Sequence, residues 1–139
     1  MKISHLGYSL ILLTSMWLLS CKENSVETQS SVALRKDYIR KIPGENDTIP
    51  EKVVQKGEVL IAYSDCYTCH SRTKRAKGPS FEDIAERYPI QQAYINMLAY
   101  RVIAGGNGAW GSPVMDPHPT LDHESAKIMV SYILSLKEK

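Results

Sequence analysis

The sequence predicts an all-α domain that follows a secretory leader and a tether. Three observations carry that prediction. Apolar residues recur at three- and four-residue spacing at Ile95, Leu98 and Val102, and again at Ile128, Met129, Tyr132, Ile133 and Leu136, the stripe that an amphipathic helix buries. No segment alternates apolar and polar residues as a half-buried strand does. Ser80 and Asp122 stand where helices should begin, and Gly105-Gly106 where one should end. The formal net charge of +2 over 139 residues gives no argument for nucleic-acid binding.

The N-terminus reads as an address. Lys2 and His5 precede an apolar run from Leu6 to Leu19, too short and too polar at its flanks for a membrane span. The run closes with Leu18-Leu19-Ser20-Cys21 and resembles a bacterial lipobox, in which the cysteine is acylated and becomes the new N-terminus. Residues 1–20 are expected to be a lipoprotein signal peptide; an ordinary secretory signal with an incidental cysteine is the alternative. A diacylglyceryl group with an amide-linked chain supplies more than one acyl anchor, enough for stable attachment. Both readings place the domain in the bacterial cell envelope, in the periplasm or otherwise outside the cytoplasm. Residues 21–50 are expected to be a lipid-anchored flexible linker. Residues 22–31 are polar with little to bury, and Pro43-Gly44 and Ile49-Pro50 break regular structure. Leu34, Tyr38, Ile39 and Ile42 are the apolar exceptions, suited to a helical turn or to packing on the folded domain.

From residue 51 the chain reads as one folded domain ending at 139. A helix is expected from about Pro50 to Ser64, with Val53, Val54, Val59, Leu60 and Ala62 apolar and Gly57 suggesting close approach of another helix. Next comes Cys66-Tyr67-Thr68-Cys69-His70. Two cysteines three positions apart can each hold a haem vinyl group as a thioether, and the following histidine is placed to ligate the iron. Other chemistries share this pattern. A Cys2His2 zinc site could be assembled from Cys66, Cys69, His118 and His123, although the gap between the pairs is far longer than in a zinc finger. A redox dithiol would want a βαβ context that the helical surroundings do not supply. A Cys66–Cys69 disulfide would close a short, strained loop.

Ser80 should start a short helix, with Asp83 three residues on in a capping-box-like arrangement. Ala93 to Ala104 should form another, and Asp122 should cap the last. Met97 and Met129 fall within these helices and are expected as core filler. Met115 lies instead in a Gly/Pro-rich loop with no helical face, which favours a ligand role for its thioether. His118, flanked by Pro117 and Pro119, is its nearest rival, and His123 is expected to be solvated. Arg72, Lys74, Arg75 and Lys77 form a basic run after the motif, either a solvated loop or a docking patch for acidic redox partners.

From about Glu51 to Lys139 the chain resembles the small bacterial monohaem class I cytochromes c. Gly78-Pro79, Arg101, Gly108-Ala109-Trp110-Gly111 and Met115 occur in the family's order, and the spacing of Arg101 from Trp110 also matches. The resemblance implies about four helices wrapped around one covalently attached haem c. It implies His70 as proximal iron ligand, donating its other ring nitrogen to the Pro79 carbonyl, and Met115 as the ligand on the opposite face. Arg101 and the Trp110 indole would hydrogen-bond a haem propionate. One departure touches the axial position: Val114 separates Pro113 from Met115, where the family often places the methionine directly after a proline. The expected function is one-electron transfer between membrane-associated or periplasmic redox proteins, without enzymatic activity of its own. The alternatives are a haem sensor or enzyme with an open or displaceable sixth ligand, and a CxxC dithiol lipoprotein.

Overall fold

The computed structural model describes residues 37–138, within a compact unit spanning Arg35–Lys139. The expected signal peptide, Cys21 and the first part of the expected linker lie outside the described residues. Residues 37–39 are helical, and four longer α-helices follow among the described residues: α1 (Glu51–Ala62), α2 (Phe81–Arg87), α3 (Gln92–Ala104) and α4 (His123–Ser135). A 3-10 turn at Cys66–Thr68 follows α1, and another at Leu136–Glu138 closes the chain. Between α3 and α4 runs an antiparallel hairpin, β1 (Gly106–Gly108) and β2 (Gly111–Met115).

Local chemistry accounts for the helix boundaries. Ser80 Oγ accepts from Asp83 N at 3.0 Å to start α2, and Asp122 Oδ1 accepts from Ser125 N at 2.9 Å to start α4, as side-chain N-caps do. Pro50 precedes α1 and its carbonyl accepts from Val53 and Val54. Gly105 ends α3 with φ +72°; a Cβ there would sit 2.7 Å from the Met115 carbonyl oxygen. Only glycine lets β2 cross so close to the end of α3.

Helix α4 is the centre of the packing, against α1, α2 and α3. One core cluster joins Val54 and Ile61 of α1 to Phe81, Ala85, Met129, Tyr132 and Ile133. The other joins Ile95 and Ala99 of α3 to Tyr88, Ile90, Ala126, Val130 and Leu134. Gly57 is the contact point of α1 with α4. A Cβ on it would fall 2.6 Å from Tyr132 Cβ and closer still to the Ile128 carbonyl oxygen. Tyr132 then reaches back to α1, its hydroxyl donating to Glu58 Oε1 at 3.3 Å.

Three differences from the sequence-based expectations have physical reasons. The Gly-rich loop forms the β1–β2 hairpin, which has no alternation to read because β1 is Gly-Asn-Gly. Met97 does not fill the core: it is 40% exposed and lines a cavity, whereas Met129 is buried as expected. Residues 37–50 pack on the domain. Ile39 is 2% exposed, and Ile42 N and Asp47 N donate to the Arg87 and Ile90 carbonyls at 2.8 and 2.7 Å. The folded unit therefore reaches upstream of residue 51. Among the described residues no helix is long and apolar enough to cross a membrane.

Candidate functional site

The Cys-x-x-Cys-His segment is wound into a tight turn directly after α1. Thr68 N donates to the Asp65 carbonyl, and Cys69 N and His70 N both donate to the Cys66 carbonyl, at 2.9, 3.2 and 3.0 Å. Winding of this kind turns Cys66, Cys69 and His70 towards one cavity, which all three line. The chain then folds back on the motif: Gly78 N donates to the Cys69 carbonyl at 2.9 Å and Phe81 N to the Ser71 carbonyl at 3.0 Å.

His70 is fixed by that return. Its Nδ1 donates to the Pro79 carbonyl at 2.7 Å, and its ring stacks on Phe81 with centroids 5.5 Å apart and planes 21° from parallel. Donation from Nδ1 leaves Nε2 as the lone-pair nitrogen, the tautomer that a metal ligand needs. Gly78 makes room for the ring, since a Cβ there would lie 2.7 Å from His70 Cε1.

The cavity has a volume of about 640 Å³ and is also lined by Arg101, Trp110, Met115 and His118, so the motif and the residues expected around its ligand converge on one space. Met115 closes β2 and pairs with Gly106 of β1, which positions it through the hairpin. Trp110 stands at the hairpin's tip, half-buried, with the Arg87 guanidinium 4.7 Å from its ring centroid and Arg87 Nη1 donating to the Ala109 carbonyl at 2.5 Å. Arg101 comes from the last turn of α3 and lies against Gly106, where a Cβ would meet Nη1 at 2.6 Å.

His118 is held differently from His70. Its Nδ1 is 3.2 Å from the Val102 carbonyl and its Nε2 is 3.3 Å from Asp65 Oδ1. Both partners are acceptors, and each of the two ring nitrogens faces one of them. Neither nitrogen is left over. His123 is exposed at the start of α4. Among the described residues no three His, Cys, Asp or Glu side chains are grouped to hold a metal ion, and the Cys66, Cys69, His118, His123 set does not assemble. No disulfide joins Cys66 and Cys69, and burial pushes the Cys66 thiol up, the reverse of a reactive dithiol.

Of the basic run, Arg72 and Lys74 are exposed, Arg75 lies 4.2 Å over the Tyr38 ring, and Lys77 reaches the cavity edge. Sequence reasoning missed Asp65, Arg87 and Tyr38 around this site. Tyr38 was legible only as an apolar exception in a tether, and no local pattern marks Asp65 or Arg87.

The cytochrome c family profile matches residues 54–137. The chain belongs to the cytochrome c family. It is 34% identical over 83 residues to cytochrome c-551 of Azotobacter vinelandii, a match covering 60% of this chain and 100% of that one. It is 35% identical over 80 residues to cytochrome c-552 of Hydrogenobacter thermophilus, covering 58% and 81%. The crystal structure of Nitrosomonas europaea cytochrome c552 superposes with a TM-score of 0.54 at 30% identity, over 58% of this chain and 99% of that one. This cytochrome c therefore has the class I fold, binds one covalently attached, iron-containing c-type haem, and is a c-type haem electron carrier. Its residues fit that group. Two thiols and a tautomer-fixed imidazole face one cavity with a thioether, and Gly78 and Gly105 leave room for the His70 ring and for the backbone at Met115, where a Cβ would clash.

Proposed function

We propose that this cytochrome c carries single electrons with His70 and Met115 as axial ligands, and that an acylated Cys21 holds it at a bacterial membrane with its domain outside the cytoplasm. The observation that carries the axial assignment is the contrast between the two cavity histidines and Met115. His70 has one nitrogen committed to Pro79 and one free, His118 has both committed, and Met115 lines the same cavity with no competing role. When bound, the haem supplies a reversible one-electron change at its iron.

The chain's own residues supply the rest. Cys66 and Cys69 would hold the group by thioethers, and the Pro79 carbonyl orients His70 and fixes its tautomer. The Met115 thioether is a soft ligand that favours the reduced state and raises the potential. Arg101 and the Trp110 indole N–H are donors of the right chemistry for a propionate, whose charge would otherwise be costly to bury partly. Exposed Arg72 and Lys74, with Lys77 at the cavity edge, suit an acidic redox partner.

Visible and near-infrared spectra of the matured holoprotein test the ligation. Sharp reduced c-type bands with a weak near-infrared methionine–iron band on oxidation are expected. A c-type spectrum without that band would move the sixth ligand to His118 or leave the position open, the arrangement of a sensor or enzyme. For the anchor, Cys21→Ser is expected to release the protein from membranes, and mass spectrometry of the mature N-terminus should find a diacylglyceryl thioether and an amide-linked acyl chain on Cys21. A wild-type protein with an unmodified N-terminus downstream of residue 21 would exclude the lipoprotein reading.

A further inference from the structure

The segment upstream of the family match bears on the cofactor site. Residues 37–50 precede the matched region, 54–137, yet they are bonded to the α2–α3 connection at both of its ends. Ile42 N donates to the Arg87 carbonyl at 2.8 Å and Asp47 N to the Ile90 carbonyl at 2.7 Å. Asn46 Oδ1 accepts from Ile90 N at 2.9 Å, and Gln91 Nε2 donates to the Glu45 carbonyl at 3.1 Å. This arrangement delivers Tyr38 to the outside of Trp110, with ring centroids 5.2 Å apart and planes tilted by 52°. Arg75 lies 4.2 Å over the same Tyr38 ring.

Trp110 lines the cavity and Tyr38 does not, so anything Tyr38 does to the cofactor passes through the indole. The Tyr38 hydroxyl is buried and has no hydrogen-bond partner among the described residues. Burying a phenol without a partner is unfavourable. The ring's contacts with Trp110 and Arg75, together with the neighbouring Ile39, are what offset it.

We propose that Tyr38 is a positioning residue: its ring holds Trp110 against the haem propionate and shields that edge from water, thereby raising the reduction potential. The inference rests on the propionate role of Trp110. The sign follows from electrostatics. A propionate that keeps its indole hydrogen bond presents less negative charge to the iron, and a drier edge disfavours the more highly charged oxidised state. Removing the Tyr38 ring undoes both and lowers the potential.

The test is the midpoint potential of the full-chain holoprotein and four variants, each checked for the near-infrared methionine band. Tyr38→Ala should lower the potential with the band retained. Tyr38→Phe, which keeps the ring and deletes the unpartnered hydroxyl, should match the wild type. Asn46→Ala cuts one of the segment's four bonds to the α2–α3 connection, and should lower the unfolding temperature while the other three keep Tyr38 on Trp110 and leave the potential in place. Trp110→Phe should lower the potential at least as far as Tyr38→Ala. An unchanged potential in Trp110→Phe would remove the underlying propionate reading. A shift in Trp110→Phe with none in Tyr38→Ala would overturn the role of Tyr38 alone. Equal shifts in Tyr38→Phe and Tyr38→Ala would give the effect to the hydroxyl instead of the ring, and a shift in Asn46→Ala would reduce it to general loosening. Each of those results overturns the proposal.

Discussion

Two histidines border the same cavity, and their hydrogen bonds separate them. His70 keeps Nε2 free because its Nδ1 is committed to the Pro79 carbonyl at 2.7 Å. His118 is clasped at both nitrogens by Val102 and Asp65. Met115→Ala is therefore expected to keep the haem attached, lower the potential and let carbon monoxide bind the reduced protein, whereas His118→Ala should leave carbon monoxide excluded. Difference spectra under carbon monoxide decide it, and binding in His118→Ala but not Met115→Ala would reverse the axial assignment. At this scale the lining of the candidate site was largely legible, because Cys66, Cys69, His70 and Met115, marked by residue type and position, line one cavity. Asp65 was not legible, since its pairing with His118 exists only once the segment after Met115 has crossed to the attachment turn. A second expectation concerns alkaline stability. Burial, aided by the neighbouring Glu58 carboxylate, pushes Tyr132 from 10.0 to about 12. Folding thus favours the protonated phenol, so its contribution is complete below pH 10 and is lost as pH rises through about 12. Tyr132→Phe should flatten the fall in unfolding free energy between those values, as read by denaturant melts at a series of pH values; an unchanged slope would assign the alkaline loss to other groups.

At the scale of elements, the helix pair α1–α4 depends on one missing side chain. A methyl group at Gly57 would overlap Tyr132 and the Ile128 carbonyl, both on the central helix. Overpacking of this kind costs about 1–3 kcal/mol, while alanine returns at most about 1 kcal/mol in helix propensity over glycine. Gly57→Ala is expected to be destabilising by about 1–2 kcal/mol in denaturant unfolding, and a stabilised variant would mean that the two helices separate without penalty. The glycine was legible as a point of close approach because it sits inside a helical pattern, where it costs helix propensity unless packing requires it. The caps at Ser80 and Asp122 were legible for a similar reason, being short-range chemistry within three residues. The hairpin was not. Its first strand is three residues with two glycines, and its geometry comes from positive φ at Gly108 and Gly111 and from closure against α3. The packing of residues 37–50 was legible only in part: Tyr38, Ile39 and Ile42 stood out as apolar residues suited to packing on the domain, whereas the bonds of Ile42, Glu45, Asn46 and Asp47 reach partners more than forty residues away that no local pattern marks.

For the whole molecule, the cofactor cavity lies among the elements whose packing makes the core. Ile84, Leu98, Arg101 and Met115 line both the main cavity and a smaller apolar pocket that reaches Met129 and Val130 of α4. Without the haem, the largely apolar lining of a space of about 640 Å³ would face water in a domain whose net stability is typically only about 5–15 kcal/mol. The Cys66→Ala/Cys69→Ala double variant should consequently lack covalent haem and unfold without a sharp transition in calorimetry. A cooperative transition near the wild-type temperature would show that the helices hold themselves together.

The surface gives the last expectation. Net charge is only +2, so long-range steering must come from where charges sit and not from their sum. Arg72 and Lys74 are exposed beside the attachment turn and Lys77 borders the cavity. Oxidation of the reduced protein by anionic hexacyanoferrate(III) should therefore slow as ionic strength rises, since exposed charges are screened beyond about 10 Å at 0.1 M salt. Arg72→Glu/Lys74→Glu should slow it further at low salt and weaken the salt dependence, with the potential unchanged. A cationic oxidant such as tris(phenanthroline)cobalt(III) should respond with the opposite sign to the charge reversal. If both reagents respond alike, electrons leave by a face that these residues do not govern, and the basic segment is a solvated loop.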